Sequence, residues 1–503
     1  MQIDAILTGI GLLADPFNFF LIFIGVLIGV LVGALPGLSS VMAVALLLPF
    51  TIGLEPIPAI AMMAALYCAG TFGGSITAIL INTPGAPPAV ATALDGFPLA
   101  QRGEAGRALG IAAFSSVVGG VLSLIVFILA APALAAVALS FRPQEYFALT
   151  LFGLSMLATI SGRSSLRNLI AGLAGVLVST IGVHLVSGEE RFTFGATYLY
   201  EGIGFVPVLV GLFAIGELLR QSETLDIVRE RIASVAVKLP SREDIRLIMP
   251  TVLRCSGVGT FIGILPAEGT TVAAIMGYNE AKRWSKNKHE FGKGAIEGIA
   301  GPEAANNAGT GGAMVPTLAL GIPGSGTTAI ILAALTMHGF RPGPHLIRET
   351  PEFVYAIFAA MLVANFLFLG IGLAGAKLFS RITLVPKTFL WPSVFVFAMV
   401  GSYSFNGSLF DVWVMLIAGL VGYVMMRHGF GPAPFVMGLI LGPLVEENWS
   451  QAMIIFDNNW LGFFTSWICN VFFALTFLSI FGGPLWRLLQ PMLGKREALH
   501  GDD

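Results

Sequence analysis

The chain has 503 residues, 56% of them hydrophobic and only 11% charged, where a soluble domain carries roughly 25% charged residues. Its mean hydropathy is +0.85 and its formal net charge is −2. Such a chain cannot cover itself with a charged surface, so the lipid bilayer is its solvent. The near-neutral balance also excludes the clustered basic face that nucleic acid demands.

Taken in chain order, the N-terminus (Met1, Gln2, Ile3, Asp4) carries no positive charge, and the first basic residue is Arg102. The apolar run Phe17–Leu35 is therefore expected to be a retained span rather than a cleaved leader. Apolar runs of spanning length follow near 57–81, 109–139, 145–160, 168–186, 203–219, 250–265, 353–378, 389–404, 409–426 and 461–485. Runs at 41–53, 268–280, 295–320, 327–338 and 433–445 are short or broken. Because about 20 apolar residues cross a bilayer directly, these shorter runs read as half-helices or re-entrant hairpins. The expected fold is an all-α polytopic membrane protein with about 10–13 transmembrane segments. The three cysteines (Cys68, Cys255, Cys469) lie far apart in apolar runs and show no metal or redox spacing.

The one long polar stretch gathers Arg220, Arg229, Arg231, Lys238, Arg242 and Arg246 among acids that include Glu223, Asp226, Glu230 and Glu243. The excess of Lys and Arg places it in the cytoplasm, together with 161–167, 282–293 and the C-terminal tail. It divides the chain into a first transmembrane repeat at 1–219, a linker at 220–249, a second repeat at 250–490 and a tail at 491–503. The broken segments fall near 33–40 and 70–98 in the first repeat, and near 263–271 and 301–342 in the second.

The two halves repeat a pattern of Gly and Pro. Gly29, Gly33, Leu35 and Pro36 are answered by Gly259, Gly263, Leu265 and Pro266, at an offset of 230. Gly70-Thr71-Phe72-Gly73 and Pro84-Gly85 are answered by Gly309-Thr310-Gly311-Gly312 and Pro323-Gly324, at an offset of 239. The loop between the motifs lacks Lys and Arg in the first half (50–59) and holds five in the second (Lys282 to Lys293). Equivalent loops of such different charge belong on opposite membrane faces, which makes the repeats inverted, as in many secondary transporters. The later loops, basic in both halves (Arg102, Arg107; Arg341, Arg348), point the other way.

Proline removes an amide donor and glycine frees the backbone. Backbone freed in hydrocarbon is costly unless it is buried in protein or lines a polar cavity. The breaks at Pro36-Gly37, Thr83-Pro84-Gly85, Pro266-Ala267 and Pro323-Gly324 are therefore candidate site elements, and small polar residues flank them. A helix starting just after a break aims its amides at a carboxylate, so Ser75, Asn82, Thr83, Pro84, Gly85, Asn307, Pro323, Gly324, Ser325 and Thr327 are candidate substrate residues. Hydroxyls, amides and freed carbonyls suit a sodium ion, so Gly37, Ser39, Thr77, Thr270, Thr271, Asn306, Thr310 and Thr328 are candidate cation ligands. Glu268 and Glu303 are ionisable groups at or near membrane depth and are functional candidates on that ground. The plainer reading of such residues is close helix packing, which small side chains favour.

No phosphate-binding loop, zincin motif or Gly-x-Ser-x-Gly elbow occurs, so no ATP motor is recognisable in the chain. The segments 70–80 (Gly-Thr-Phe-Gly-Gly-Ser-Ile-Thr-Ala-Ile-Leu), 82–85 (Asn-Thr-Pro-Gly) and 95–100 (Asp-Gly-Phe-Pro-Leu-Ala) are distinctive. So are 301–308 (Gly-Pro-Glu-Ala-Ala-Asn-Asn-Ala) and the run 311–325 ending Gly-Ile-Pro-Gly-Ser. Together they resemble the large membrane subunit of tripartite tricarboxylate transporters, the TctA family. The resemblance implies a small four-helix membrane subunit and a periplasmic solute-binding protein as partners. It implies no ATPase, and uptake of citrate-like di- or tricarboxylates with a cation, usually sodium, across the bacterial inner membrane. It implies no other cofactor. An intramembrane enzyme using Glu303 and a passive anion channel are the competing expectations.

Overall fold

The computed structural model describes residues 2–35, 37–156, 165–184, 186–223, 237–266, 269–382 and 387–497. Pro36, Ala267 and Glu268 therefore lie outside the described residues. In chain order the first helices are α1 (Gln2–Leu13), α2 (Pro16–Gly33), α3 (Ser40–Leu47), α4 (Pro56–Ile81), α5 (Ala89–Leu99) and α6 (Ala105–Ala138). Next come α7 (Pro143–Met156), α8 (Ser165–Ser179), α9 (Phe205–Val210) and α10 (Gly216–Ser222), the last two joined by a π turn at Gly211–Ile215. The remainder are α11 (Arg242–Ile264), α12 (Gly269–Trp284), α13 (Ile296–Leu320), α14 (Gly326–Met337), α15 (Pro344–Glu349), α16 (Pro351–Ile382), α17 (Lys387–Asn406), α18 (Leu409–Arg427), α19 (Pro432–Ile455) and α20 (Trp467–Glu497). Among the described residues the only strands are the two-residue pair β1 (Gly182–Val183) and β2 (Glu190–Arg191).

Seven helical runs among the described residues are long and apolar enough to cross a membrane: α2, α4, α5–α6, α9–α10, α11, most of α16, and α18. Five shorter apolar helices accompany them. The protein is an all-α, multi-pass membrane protein.

The chain divides into two compact units. One comprises Met1–Leu139 with Gly204–His428, and the other Ser140–Ile203 with Gly429–Asp503. All the candidate site residues belong to the first. In the second, α19 packs on α8 and α7, and Arg191 forms an ion pair with Glu446.

Local chemistry sets the helix ends. Asp15 caps α2 by accepting from the amides of Phe17 and Asn18, and Pro16 opens the helix, where its missing N–H is harmless. Ser241 and Asp244 form a capping box at the start of α11, and Asp244 also pairs with Arg107 of α6 at 2.5 Å. This helix thus begins at Arg242, inside the stretch read as linker, and α20 runs on to Glu497, past the expected start of the tail. The start of α13 is held from the first half. Oδ1 of the buried Asp95 on α5 accepts the backbone amides of Gly292, Lys293, Gly294 and Ala295 at 2.8–3.1 Å.

One expectation from the Gly and Pro content is corrected. The run 295–320 is a single helix, α13, despite Pro302, Pro316 and the 309–312 glycines. Those glycines sit where neighbouring helices come close, and packing against them overrides the weak helix propensity. The chain breaks only after Leu320.

The same close approach occurs twice. A methyl group on Gly29 of α2 would stand 2.6 Å from the Leu66 carbonyl oxygen of α4, and one on Gly73 would stand 2.7 Å from Val30 O. In the second half Gly259 of α11 abuts Ala305, and a methyl on Gly312 would stand 2.5 Å from Thr260 O. Gly33 lies against Gly70 and Gly73, as Gly263 lies against Gly309 and Gly312. Each contact in one half maps onto its counterpart by the offsets read from the sequence. The prediction is steric. Gly29→Val and Gly263→Val each destabilise the protein by about 1–3 kcal/mol or more, read as a lower thermal midpoint in detergent. Gly257→Val, on the same helix with open space within 4 Å, leaves the midpoint unchanged.

Candidate functional site

The two main breaks share a backbone design. Helix α4 ends on Asn82 in the left-handed region (φ 52°), and α13 ends on Gly321 (φ 73°). The amides of Asn82 and Thr83 turn back to Thr77 O, as those of Gly321 and Ile322 turn back to Pro316 O. Gly85 then folds against the helix it left, its amide donating to Gly74 O at 3.3 Å, and Gly324 folds against Ala313.

Beyond the break the halves differ. After the second, Ser325 caps α14 directly. Its hydroxyl accepts the Thr328 amide at 3.2 Å, and the Thr328 hydroxyl accepts the Ser325 amide at 2.8 Å. The amides of Gly326 and Thr327 occupy the first turn, where no intrahelical partner exists. Pro323 and Gly324 are buried immediately before this turn, and Thr327 is 3% exposed. After the first break, α5 starts only at Ala89, with no side-chain cap. No helix opens at Gly85, so the helix start expected just after each break is present in the second half and not in the first. Asn82 is exposed, and Thr83 and Pro84 are half-buried. Ser75 is buried, its hydroxyl donating to Phe72 O at 2.7 Å. The buried Thr77 hydroxyl lacks a hydrogen-bond partner.

The second-half residues gather around α4. The Tyr67 and Ser325 hydroxyls are 3.2 Å apart, and the Cys68 sulfur lies 3.8 Å from the Thr310 hydroxyl. Thr310 donates to Asn307 O at 2.7 Å. Asn306 is fully buried with neither amide atom partnered, and Asn307 Oδ1 is unpartnered as well. The consecutive residues Tyr67 and Cys68 thus join the α14 N-terminus to the polar face of α13. Gly74, against which Gly85 folds, lies six positions beyond Cys68 on α4, about 9 Å at 1.5 Å per residue.

Glu303 has a different environment. It is fully buried, and its two carboxylate oxygens accept from Thr92 of α5 at 2.5 Å and Ser116 of α6 at 2.8 Å. Both oxygens are engaged in fastening three helices. Gly37 takes φ +91°, which its lack of a side chain permits, and its carbonyl accepts from Gln221. Ser39 caps α3 through the Met42 amide at 3.2 Å. Thr270 and Thr271 are half-buried in the first turn of α12, Thr270 against Gly309. Glu268 lies outside the described residues.

Sequence reasoning missed Tyr67, Cys68, Thr92, Ser116 and Asp95. For the first two a signal existed: at the offset of 239 they are the counterparts of Asn306 and Asn307. Thr92 and Ser116 carry no comparable mark.

Residues 19–437 match the Tripartite tricarboxylate transporter TctA family. The chain belongs to that family. It is therefore a transporter-subunit chain of a system with further subunits. Two proteins from Agrobacterium vitis are similar to this TctA chain. The "Uncharacterized 52.8 kDa protein in TAR-I ttuC' 3'region" is 38% identical over 451 residues, 90% of each chain. The "Uncharacterized protein in TAR-II ttuC' 3'region" is 37% identical over 245 residues, 49% of this chain and 100% of the relative. No solved structure matches.

The bracing role of Glu303 in this TctA chain is testable. Glu303→Ala strands two buried hydroxyls and destabilises by about 1–3 kcal/mol for each, while Glu303→Gln retains an acceptor for one and a donor for the other. Thermal unfolding in detergent should place Glu303→Gln near wild type and Glu303→Ala well below. A stable Glu303→Gln protein without transport would show that the carboxyl has a functional role instead.

Proposed function

We propose that this chain is the transport subunit of a binding-protein-dependent secondary transporter that imports a citrate-like di- or tricarboxylate with a cation, sodium, across the bacterial inner membrane. The observation that carries this reading is the start of α14. Two first-turn amides and the Ser325 hydroxyl converge there at buried positions, beside Tyr67. A helix N-terminus at membrane depth favours a carboxylate through its unpaired amides and its dipole. Thr327 and Gly324 border the same seat.

The matched contacts of Gly29–Gly73 and Gly259–Gly312 support the internal repeat, and the unequal charge of the equivalent loops supports an inverted one. A small four-helix membrane subunit and a periplasmic solute-binding protein complete the proposed system. Thr77, Thr310, Thr328, Ser39, Gly37, Thr270, Thr271 and Asn306 remain the wider pool of cation ligands. The placement of both Glu303 oxygens on hydroxyl donors favours a carrier over an enzyme that would need this acid free.

Reconstitution tests the proposal. The chain, with its two partner subunits in proteoliposomes, should concentrate labelled citrate or a related acid only under an inward sodium gradient. Ser325→Ala should lower initial uptake by about tenfold or more, the loss expected for a hydrogen bond to a charged group, and Asn307→Ala should lower it as well, both with normal membrane levels. Equilibration without accumulation would indicate an anion channel and overturn the symport reading.

A further inference from the structure

Helix α16 brings one polar side chain into the buried region beside α6. Asn365 is 1% exposed, its Nδ2 donates to Met361 O at 2.7 Å, and its Oδ1 has no partner. The amide lies against Gly120 of α6, where any side chain would run into Asn365 Oδ1. Asn307 on α13 repeats the arrangement. It is fully buried, its Nδ2 donates to Glu303 O at 3.3 Å, and its Oδ1 has no partner. Both amides are tied back one turn along their own helix, so each presents oxygen as its free end.

The register of α6 against α13 brings these two residues to the same level along α6. Ser116 meets Glu303, Gly119 meets Ala304, and Ser123 meets Gly311. Asn307 falls between the last two contacts on α13, and Gly120 falls between them on α6.

We propose that Asn307 Oδ1 and Asn365 Oδ1 bind one small monovalent cation, sodium, at the Gly119–Gly120 step of α6. Two acceptors without a donor between them repel, and a cation placed between them turns that repulsion into attraction. A desolvated hard cation takes oxygen ligands. The two proposed ligands are uncharged amide oxygens, and both oxygens of nearby Glu303 are already engaged by hydroxyls, which suits a single charge better than a double one. Among the described residues no group of three His, Cys, Asp or Glu side chains could hold a metal ion, so a transition metal is not served. A carboxylate cannot take this place, since it offers only further acceptors. Asn307 therefore serves the cation and not the substrate. Asn365 lies outside both repeated motifs. The binding of the ion stands on this geometry alone, and its use in transport rests on the carrier reading above.

The test uses the purified chain in detergent without any carboxylate, with NaCl replacing choline chloride at constant ionic strength. Wild type should show a saturable rise in thermal midpoint with sodium. Asn365→Ala and Asn307→Ala should lose the rise. Asn365→Asp, which keeps an oxygen at the same place, should retain it. Asn448→Ala, which removes an amide tied back in the same way to Leu444 O at 2.7 Å in the other compact unit, should also retain it. The proposal is overturned if wild type does not respond to sodium, which would assign the gap to a buried water. It is equally overturned if Asn365→Ala and Asn307→Ala elute as folded protein and still respond like wild type. Sodium-driven uptake in proteoliposomes alongside either result would leave the carrier standing and remove only this site.

Discussion

An unpaired polar group at membrane depth has no water to turn to, and this constraint organises the first compact unit. It requires helices, and it requires each helix break to be folded back into protein. Both main breaks obey it. The chain leaves α4 and α13 through a left-handed residue, returns two amides to the preceding turn, and lays Gly85 and Gly324 against the helix just departed. Room for that return exists because Gly33 meets Gly70 and Gly73, and Gly263 meets Gly309 and Gly312, with no side chains between. The glycine contacts come first in the physical order, and the breaks depend on them.

Against that background the exceptions are informative. Most buried hydroxyls are satisfied by a carbonyl one turn back, and both oxygens of Glu303 and Oδ1 of Asp95 are satisfied by donors from other helices or loops. Asn306, Asn307 and Asn365 are not. Three buried amides with free oxygens are costly as packing alone.

The general plan was legible in the sequence because Gly and Pro report backbone needs directly. The offset motifs at 29–36 and 259–266, and at 70–85 and 309–324, correspond to contacts that the structure makes twice. What the sequence concealed depends on neighbours. The Gly-rich run in α13 reads as a break but is helix, since its glycines admit α11 and α6. The first break reads as a helix start, but Ala86 and Pro87 each precede a proline, which disfavours the helical region there, and α5 begins later. Tyr67 and Asn365 sit in apolar runs that give no hint of their partners, although the repeat offset sets Tyr67 opposite Asn306. The acids show the same limit. Membrane depth marked Glu303, yet only the positions of Thr92 and Ser116 give it a bracing role.

The central claim is that α4 of the first half and α13–α14 of the second build one buried site at Tyr67 and Cys68. The most direct measurement is oxidative cross-linking of native Cys68 to Thr310→Cys, whose wild-type side chains are 3.8 Å apart, in a protein with Cys255 and Cys469 replaced by Ala. The account predicts that the disulfide forms, that it is found by mass spectrometry of digests, and that it stops uptake until reduced. Failure to form the disulfide in folded protein, or a complete disulfide with uptake unchanged, would contradict it.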